Sequence, residues 1–313
     1  MEIRQLRHFI AAAEAGNLRK ASEKIHISPA ALSMSIKNLE DNLGTTLLHK
    51  NRRGVQMTYA GEQFLKSAHS LLRQLDDVSA QVKGTEESPT GGVNLGIPVG
   101  MSNALVAPLC KLLLEKFPGI DLQVSEGSTT ILERLYDDNL IDLMIGYDVT
   151  EKMDQKCEQL YTENLYFVSA YDSSLDGQLE IDSSALNGST IACSPGTFSM
   201  RQTIEKYAFD NNLSFNFTQD FQSAHASVKI AQAGLANTIS SWDLVYDQVA
   251  NKMVTARRII DPPMERTVCL ISSLRFEPSF ATSAIIGAIK TAIQTAEAEG
   301  KIRSIPRQLG VKR

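Results

Sequence analysis

The 313-residue sequence predicts an N-terminal all-α winged helix-turn-helix, a long helix that links and dimerises, and a C-terminal α/β unit. Three observations carry this. Two helix starts lie about eleven residues apart, at Asn17 and Ser28. An apolar seam then runs from Phe64 to Val82 at spacings of 4, 3, 4, 3 and 4, the a/d pattern of a helix that pairs with another. Beyond Gly92, apolar residues switch repeatedly between a period of two and a period near 3.6, the rhythm of strands alternating with helices.

Residues 1 to about 15 read as a helix with Leu6, Phe9, Ile10 and Ala13 on one side. Asn17 and Ser28 can each offer a side-chain oxygen to an orphan backbone N–H. Pro29 suits the first helical position, where its missing N–H costs nothing. Along this second helix Leu32, Ile36, Leu39 and Leu43 recur at i, i+4, i+7 and i+11 and predict one buried stripe. The other face carries Ala30, Ser33, Met34, Lys37 and Asn38, small, polar and basic. Such a helix can lie in a major groove with its exposed side chains at base edges. Ser28, Pro29, Ala30, Ser33, Met34 and Lys37 are therefore the candidate DNA contacts. An ordinary αα-hairpin shares the bare pattern; the sequence that follows favours the DNA reading.

Gly44 can supply the left-handed turn that ends this helix. From Thr45 to Thr58 two short apolar runs flank His49-Lys50-Asn51-Arg52-Arg53-Gly54, which reads as a β-hairpin wing. Its basic tip makes Arg52 and Arg53 candidates for phosphate or minor-groove contact. The formal net charge of −5 would oppose nucleic acid if spread evenly, because phosphate contacts need Lys and Arg. It is not: residues 1–60 hold nine basic side chains (Arg4, Arg7, Arg19, Lys20, Lys24, Lys37, Lys50, Arg52, Arg53) and five acidic ones (Glu2, Glu14, Glu23, Glu40, Asp41).

From Tyr59 to about Lys83 one long helix is expected. Its seam is Phe64, Ala68, Leu71, Leu75, Val78 and Val82, flanked by Arg73 and Asp76. So narrow a stripe suits a partner helix and points to a homodimer, the other reading being a helix packed on its own domain. Gly84 to Gly92, GTEESPTGG, reads as a linker. Beyond it Val93, Leu95 and Ile97 alternate as a strand, a helix carries Leu105, Leu109, Leu112 and Leu113, Ile120 to Val124 alternate again, Ser128 can cap a helix, and Leu140 to Ile145 form a continuous apolar strand. That order predicts a parallel α/β sheet. From about 160 to 265 the rhythm repeats: strands at Leu165–Ala170, Thr190–Ala192 and Leu235–Ser240, and helices at Ser199–Asn211 and Val228–Ala233. Thr267–Ser272 then leads to a last helix, Phe280 to Glu299.

Ala11 to Leu65 resembles the DNA-binding region of the LysR-type transcriptional regulators. The match rests on Ala21, Ile25, Ile27, Ser28, Ala31, Leu32, Ser33, Ile36, Leu39, Glu40, Leu43, Gly44, Leu47, Leu48, Arg53, Thr58, Gly61 and Glu62 in one ungapped run. Pro29 and Ser35 stand where glutamines are usual, so the operator sequence does not carry over. Pro108, Phe117, Pro118, Gly127, Leu135, Leu140, Asp142 and Gly146 extend the similarity more weakly. The resemblance implies a DNA-binding domain over 1–58, a linker and dimerisation helix with hinge over 59–90, and an effector-binding domain over 91–313. That last domain would resemble a periplasmic solute-binding protein, with lobe I at about 91–161 and 266–313 and lobe II at about 162–265. It implies dimers that pair into tetramers, double-stranded DNA as partner, and a small-molecule effector.

Ligands of open α/β sheets sit at the carboxyl ends of strands, where helix N-termini offer free N–H groups to anions. Three hydroxyl-rich segments occupy such places: Val99 to Asn103, Gly127 to Thr130 and Cys193 to Ser199. Ser102, Asn103, Ser128, Thr129, Thr197 and Ser199 are the candidate donors to an anionic effector, with Phe198 as an apolar wall.

No cofactor or metal site is expected. The sequence has no GxGxxG, P-loop or GxSxG, and His8, His26, His49, His69 and His225 show no ligand spacing, which argues against an enzyme. Four cysteines (Cys110, Cys157, Cys193, Cys269) stand far apart without a CxxC, so reduced, buried thiols are expected, with redox sensing through Cys193 as the alternative. No apolar run is long enough to span a membrane, and the N-terminus lacks a secretion signal. A cytoplasmic protein follows, and a periplasmic solute-binding protein is disfavoured.

Overall fold

The computed structural model describes residues 1–51, 54–83, 85–218, 220–274 and 277–305. The expectations placed on Arg52 and Arg53, and on the side chains of Lys50, Arg73, Asp76 and Val82, lie outside the described residues. The chain forms two compact units, Met1–Gly84 with Asp137–Leu140, and Thr85–Tyr136 with Ile141–Arg313.

The first unit contains α1 (Ile3–Ala15), α2 (Leu18–Lys24), α3 (Pro29–Leu43), a hairpin of β1 (Leu48–Asn51) and β2 (Gly54–Met57), and α4 (Tyr59–Lys83). Both expected caps form: the Asn17 side chain accepts from the N–H groups of Arg19 and Lys20, and Ser28 Oγ accepts from Ala31 N–H at 3.1 Å. Gly44 closes α3 at φ 68°. Glu40 then fixes the chain's entry into the hairpin, its Oε1 accepting from Leu47 and Leu48 N–H at 2.8 and 3.0 Å. The hairpin is pinned to the end of α1 by a bond from Val55 N–H to Gly16 O at 2.9 Å. A Cβ on Gly54 would lie 2.1 Å from that oxygen, so only glycine allows this approach.

Leu6, Phe9, Ile10, Leu32, Ile36, Leu39, Leu47 and Ala68 share one core, and the rings of Phe9 and Phe64 meet edge to face at 5.2 Å. Leu43 departs from the expected stripe. It is 39% exposed, because it ends α3 just where Gly44 turns the chain away from the core. The α4 seam also divides. Ala68 is fully buried and Phe64 packs against the same core, so the first half of the stripe serves its own domain; Leu71 and Val78, 44% and 57% exposed, are left facing outward.

The second unit is built on a long mixed sheet. Strands β3 (Gly91–Pro98), β4 (Ile120–Gly127) and β5 (Leu143–Tyr147) run parallel in the order β4-β3-β5 and are connected by α5 (Val99–Lys116) and α6 (Thr129–Asp137). The all-parallel expectation is corrected beyond them. The 16-residue β6 (Gln155–Ala170) returns and later pairs antiparallel with β12 (Glu265–Ser273), which also pairs antiparallel with β5. Between these strands come β7 (Glu180–Asp182), β8 (Thr190–Ile191), α7 (Ser199–Asp210), β9 (Asn216–Phe217), α8 (Ala224–Gln232), β10 (Thr238–Ser241), α9 (Trp242–Ala250) and β11 (Val254–Ile260). α10 (Phe280–Ala298) and β13 (Ser304–Ile305) follow. The far end of β6 carries β10 and β11, so a single strand spans both halves of the sheet.

Three element bounds move from their expected places. β5 begins at Leu143, leaving Leu140 37% exposed, and β10 begins at Thr238, leaving Leu235 71% exposed in the turn after α8. α8 starts at Ala224, where Ser223 caps it. Val93, Leu95 and Ile97 pack with residues of α5 and α10 in the largest core, while Leu165, Ile191, Ile204 and Ile239 form another.

Candidate functional site

On the first unit, the face of α3 opposite Leu32, Ile36 and Leu39 is open. Ser28, Pro29, Ala30, Met34 and Lys37 are exposed and Ser33 is half-buried, so all six candidate contacts within the described residues share one surface, with Met34 59% exposed. Three buried aliphatic side chains behind hold that surface rigid. Lys20 and Lys37 are exposed and form no ion pair among the described residues, whereas Arg19 pairs with Glu23 at 3.3 Å and Lys24 with Glu14 at 3.7 Å. Ser35 faces the other way: its hydroxyl lies 2.8 Å from His8 Nδ1 on α1.

On the second unit, a cavity of about 140 Å³ opens where the starts of five helices converge. Its wall includes Val99 at the start of α5, Thr129 of α6, Ser199 of α7, Ala224 of α8 and Ser241 before α9. α5, α7 and α9 have no side-chain cap from their N-cap residues, so N–H groups in the first turns of α5 and α7 are left for a ligand, while those of Asp243 and Leu244 in α9 face the Asp243 carboxylate. Aligned helix starts also carry partial positive charge, which favours an anion. Phe198, Met200, Phe221, Ile239 and Leu244 supply apolar wall.

Four of the seven candidate effector contacts line this cavity: Ser128, Thr129, Phe198 and Ser199. Thr129 Oγ1 already accepts from Tyr147 N–H at 3.2 Å, and Ser128 Oγ accepts from Ile131 N–H at 3.4 Å. Ser102, Asn103 and Thr197 are not part of the wall. Ser102 is buried on α5 and its hydroxyl donates to Glu126; Asn103 lies 3.5 Å from His225 Nε2; Thr197 is exposed. One helical turn places 102 and 103 past the N-terminus and away from the opening.

Arg266 at the cavity and the two buried carboxylates near it are not among the candidates read from the sequence. Arg266 lines it and is 5% exposed, with Nε 2.6 Å from Glu163 Oε1 and the guanidinium 3.3 Å from the centre of the Tyr147 ring. Glu163 and Asp243 are 2% and 1% exposed. Burial pushes the Glu163 carboxyl up to about 7 against the opposing pull of Arg266, and burial raises Asp243 in the same sense.

Residues 3–62 match the family of bacterial regulatory helix-turn-helix proteins called lysR, and residues 86–294 match the LysR substrate binding domain. The chain belongs to the LysR family. The nitrogen assimilation regulatory protein nac of Escherichia coli is 28% identical to this LysR-family chain over 173 residues, 55% of this chain and 57% of that protein. The match therefore spans a little over half of that relative's length. The transcriptional regulator CfxR of Cupriavidus necator is 24% identical over 283 residues, 89% of this chain and 88% of CfxR. In fold, the chain is similar to a full-length OxyR variant from Pseudomonas aeruginosa (TM-score 0.72, 21% identity, 94% of this chain and 95% of that one). It is also similar to full-length CbnR complexed with its target DNA (TM-score 0.68, 19% identity, 95% and 100%).

In this LysR-family chain Arg201 is held by its neighbours and Cys193 is buried. Arg201 stacks over the Phe217 ring at 3.3 Å and pairs with Glu205 at 2.7 Å. Cys193 lines the cavity, but burial pushes its thiol up and the Ser194 hydrogen bond offsets this only in part. Cys110 is exposed and Cys157 half-buried, so the expectation of four buried thiols holds for Cys193 and Cys269.

Proposed function

We propose that this chain is a sequence-specific transcriptional regulator, acting in the cytoplasm, whose hold on DNA is set by a small acidic effector in the cavity of the second unit. The observation that carries the DNA reading is the polar outer face of α3 over its buried aliphatic stripe. α3 reads base edges with Ala30, Ser33 and Met34, Lys37 meets phosphate, and Arg52 and Arg53 take the wing's share. The domains follow the bounds 1–58, 59–90 and 91–313, with the two lobes meeting where β6 and β12 cross near 162 and 266. Leu71 and Val78, with Leu75 between them, are the self-association seam that gives a dimer, and dimers pair into tetramers. Among the described residues no helix is long and apolar enough to cross a membrane.

The effector reading rests on the uncapped starts of α5 and α7 at one cavity. A ligand there acts through its different affinity for two arrangements of the lobes. The groups at the cavity fit binding of an anion: Arg266 lines it, paired with the buried Glu163, beside uncapped helix starts. A gel shift on the DNA upstream of its own gene tests the regulator reading. A complex is expected whose log affinity falls linearly with log salt, and Lys37→Ala reduces the slope by about 0.9, one phosphate contact. Absence of any complex at low ionic strength would contradict it.

A further inference from the structure

Resting on the reading of the cavity as the effector site, we propose that it takes a compact monoanion together with one proton. The ligand's acid group binds toward Arg266, and the proton, drawn from solvent, goes to the Glu163–Asp243 carboxylate pair that shares this arginine.

The geometry sets the charge balance. Arg266 on β12 stands directly across the ladder from Glu163 on β6, where the two strands pass through the middle of the sheet. Asp243, in the first turn of α9, is the second carboxylate near this guanidinium, and its polar neighbours are the Ser241 hydroxyl and the N–H groups of Leu244 and of Asp243 itself, none in ordinary hydrogen-bond geometry. Its Oδ1 would lie 2.7 Å from a Cβ on Gly100, so it also sits against the start of α5. The other titratable groups facing the pair are the Tyr147 ring and Asp148 at the end of β5, and Tyr161 on β6, whose hydroxyl is buried without a partner. β13 places the uncharged Ser304 opposite Glu163, and the neighbouring Arg303 is occupied over the Trp242 ring at 3.3 Å.

With both carboxylates ionised, one arginine is shared by two buried negative charges, and an entering anion would be a third. Charges in such surroundings are neutralised rather than left unpaired. The Glu163 carboxyl, raised by burial to about 7, makes a proton available near neutrality, and burial raises Asp243 in the same direction. Once one is protonated, Arg266 is free to face the ligand, and the uncapped starts of α5 and α7 complete the anion's surroundings. Size limits the class further: about 140 Å³ is close to the cavity of about 150 Å³ that accommodates benzene. A compact acid with a short apolar body fits.

The probe is 1-butanesulfonate, a monoanion at every relevant pH, with neutral 1-butanesulfonamide as its counterpart. Both are titrated calorimetrically into the full chain at pH 6.5, 7.5 and 8.5, in buffers of different ionisation enthalpy. Sulfonate affinity is expected to fall about tenfold per pH unit above about 7, with close to one proton taken up per ligand at pH 8.5; sulfonamide binding stays flat. Glu163→Gln abolishes the pH dependence, and Asp243→Asn provides the same readout should the first variant fail to fold. Sulfonate binding that is independent of pH and takes up no proton overturns the proton coupling and leaves the effector cavity standing. Sulfonamide binding without sulfonate binding overturns the anion class. If neither binds at any pH, the effector-cavity reading falls as well.

Discussion

Arg266→Met is expected to destabilise the second unit by about 3–5 kcal/mol. The native side chain is 5% exposed and lies by two carboxylates exposed at 2% and 1%, so its loss leaves two buried carboxyls that must take up protons or stay as unpaired charge, rather than merely removing one contact. Glu163 lies on β6, which pairs with β10, β11, β12 and β13, so the group left behind lies in the strand that both halves of the sheet share. Trp242 is the one tryptophan in the sequence and belongs to this unit, packed beside Tyr166 with ring centres 5.3 Å apart. Its fluorescence in urea therefore follows this unit selectively. The double variant Arg266→Met, Glu163→Gln should recover part of the loss, because one stranded charge is gone. A loss below about 1 kcal/mol would mean the ion cluster does not hold the strands where they cross.

Leu39→Ala should cost the first unit about 2–5 kcal/mol. Leu39 is fully buried on α3 among Phe9, Leu32 and Ile36, and truncation leaves a cavity in a small core. The core also positions the DNA-facing surface, so affinity should fall for every duplex sequence alike. Hydrogen exchange of the α1–α3 amides measures the loss, while the Trp242 unfolding midpoint should stay in place. Unchanged α1–α3 protection would show that α3 is not held by this stripe.

Local chemistry makes the first unit legible. Caps at Asn17 and Ser28, Pro29 at the first helical position and Gly44 at the end each act within a few residues, so the sequence alone marks both ends of α3. What a helix face touches is a tertiary matter. The α4 seam is uniform in sequence, yet its first half is claimed by Phe9 and its neighbours in the same unit. The cavity is partly legible for the same reason as α3. Ser128, Thr129, Phe198 and Ser199 sit at helix starts, and a helix start is written locally. Ser102 and Asn103 lie one turn too far along α5 to reach the opening. Glu163, Asp243 and Arg266 are brought together only by long-range pairing: the ladder joining Glu163 to Arg266 closes 103 residues of chain. The local trace of that pair is charge beside strongly apolar strand sequence, at Glu163 before Leu165–Ala170 and at Arg266 before Thr267–Ser272.

The most direct test is selection of bound duplexes from a random pool by the native chain and by Met34→Ala. Met34 is 59% exposed, so its truncation should leave stability nearly intact. The two proteins should enrich different bases at one or two positions, with discrimination changed by about 1–3 kcal/mol there. Identical selected sequences at every position would contradict the placement of α3 against the bases.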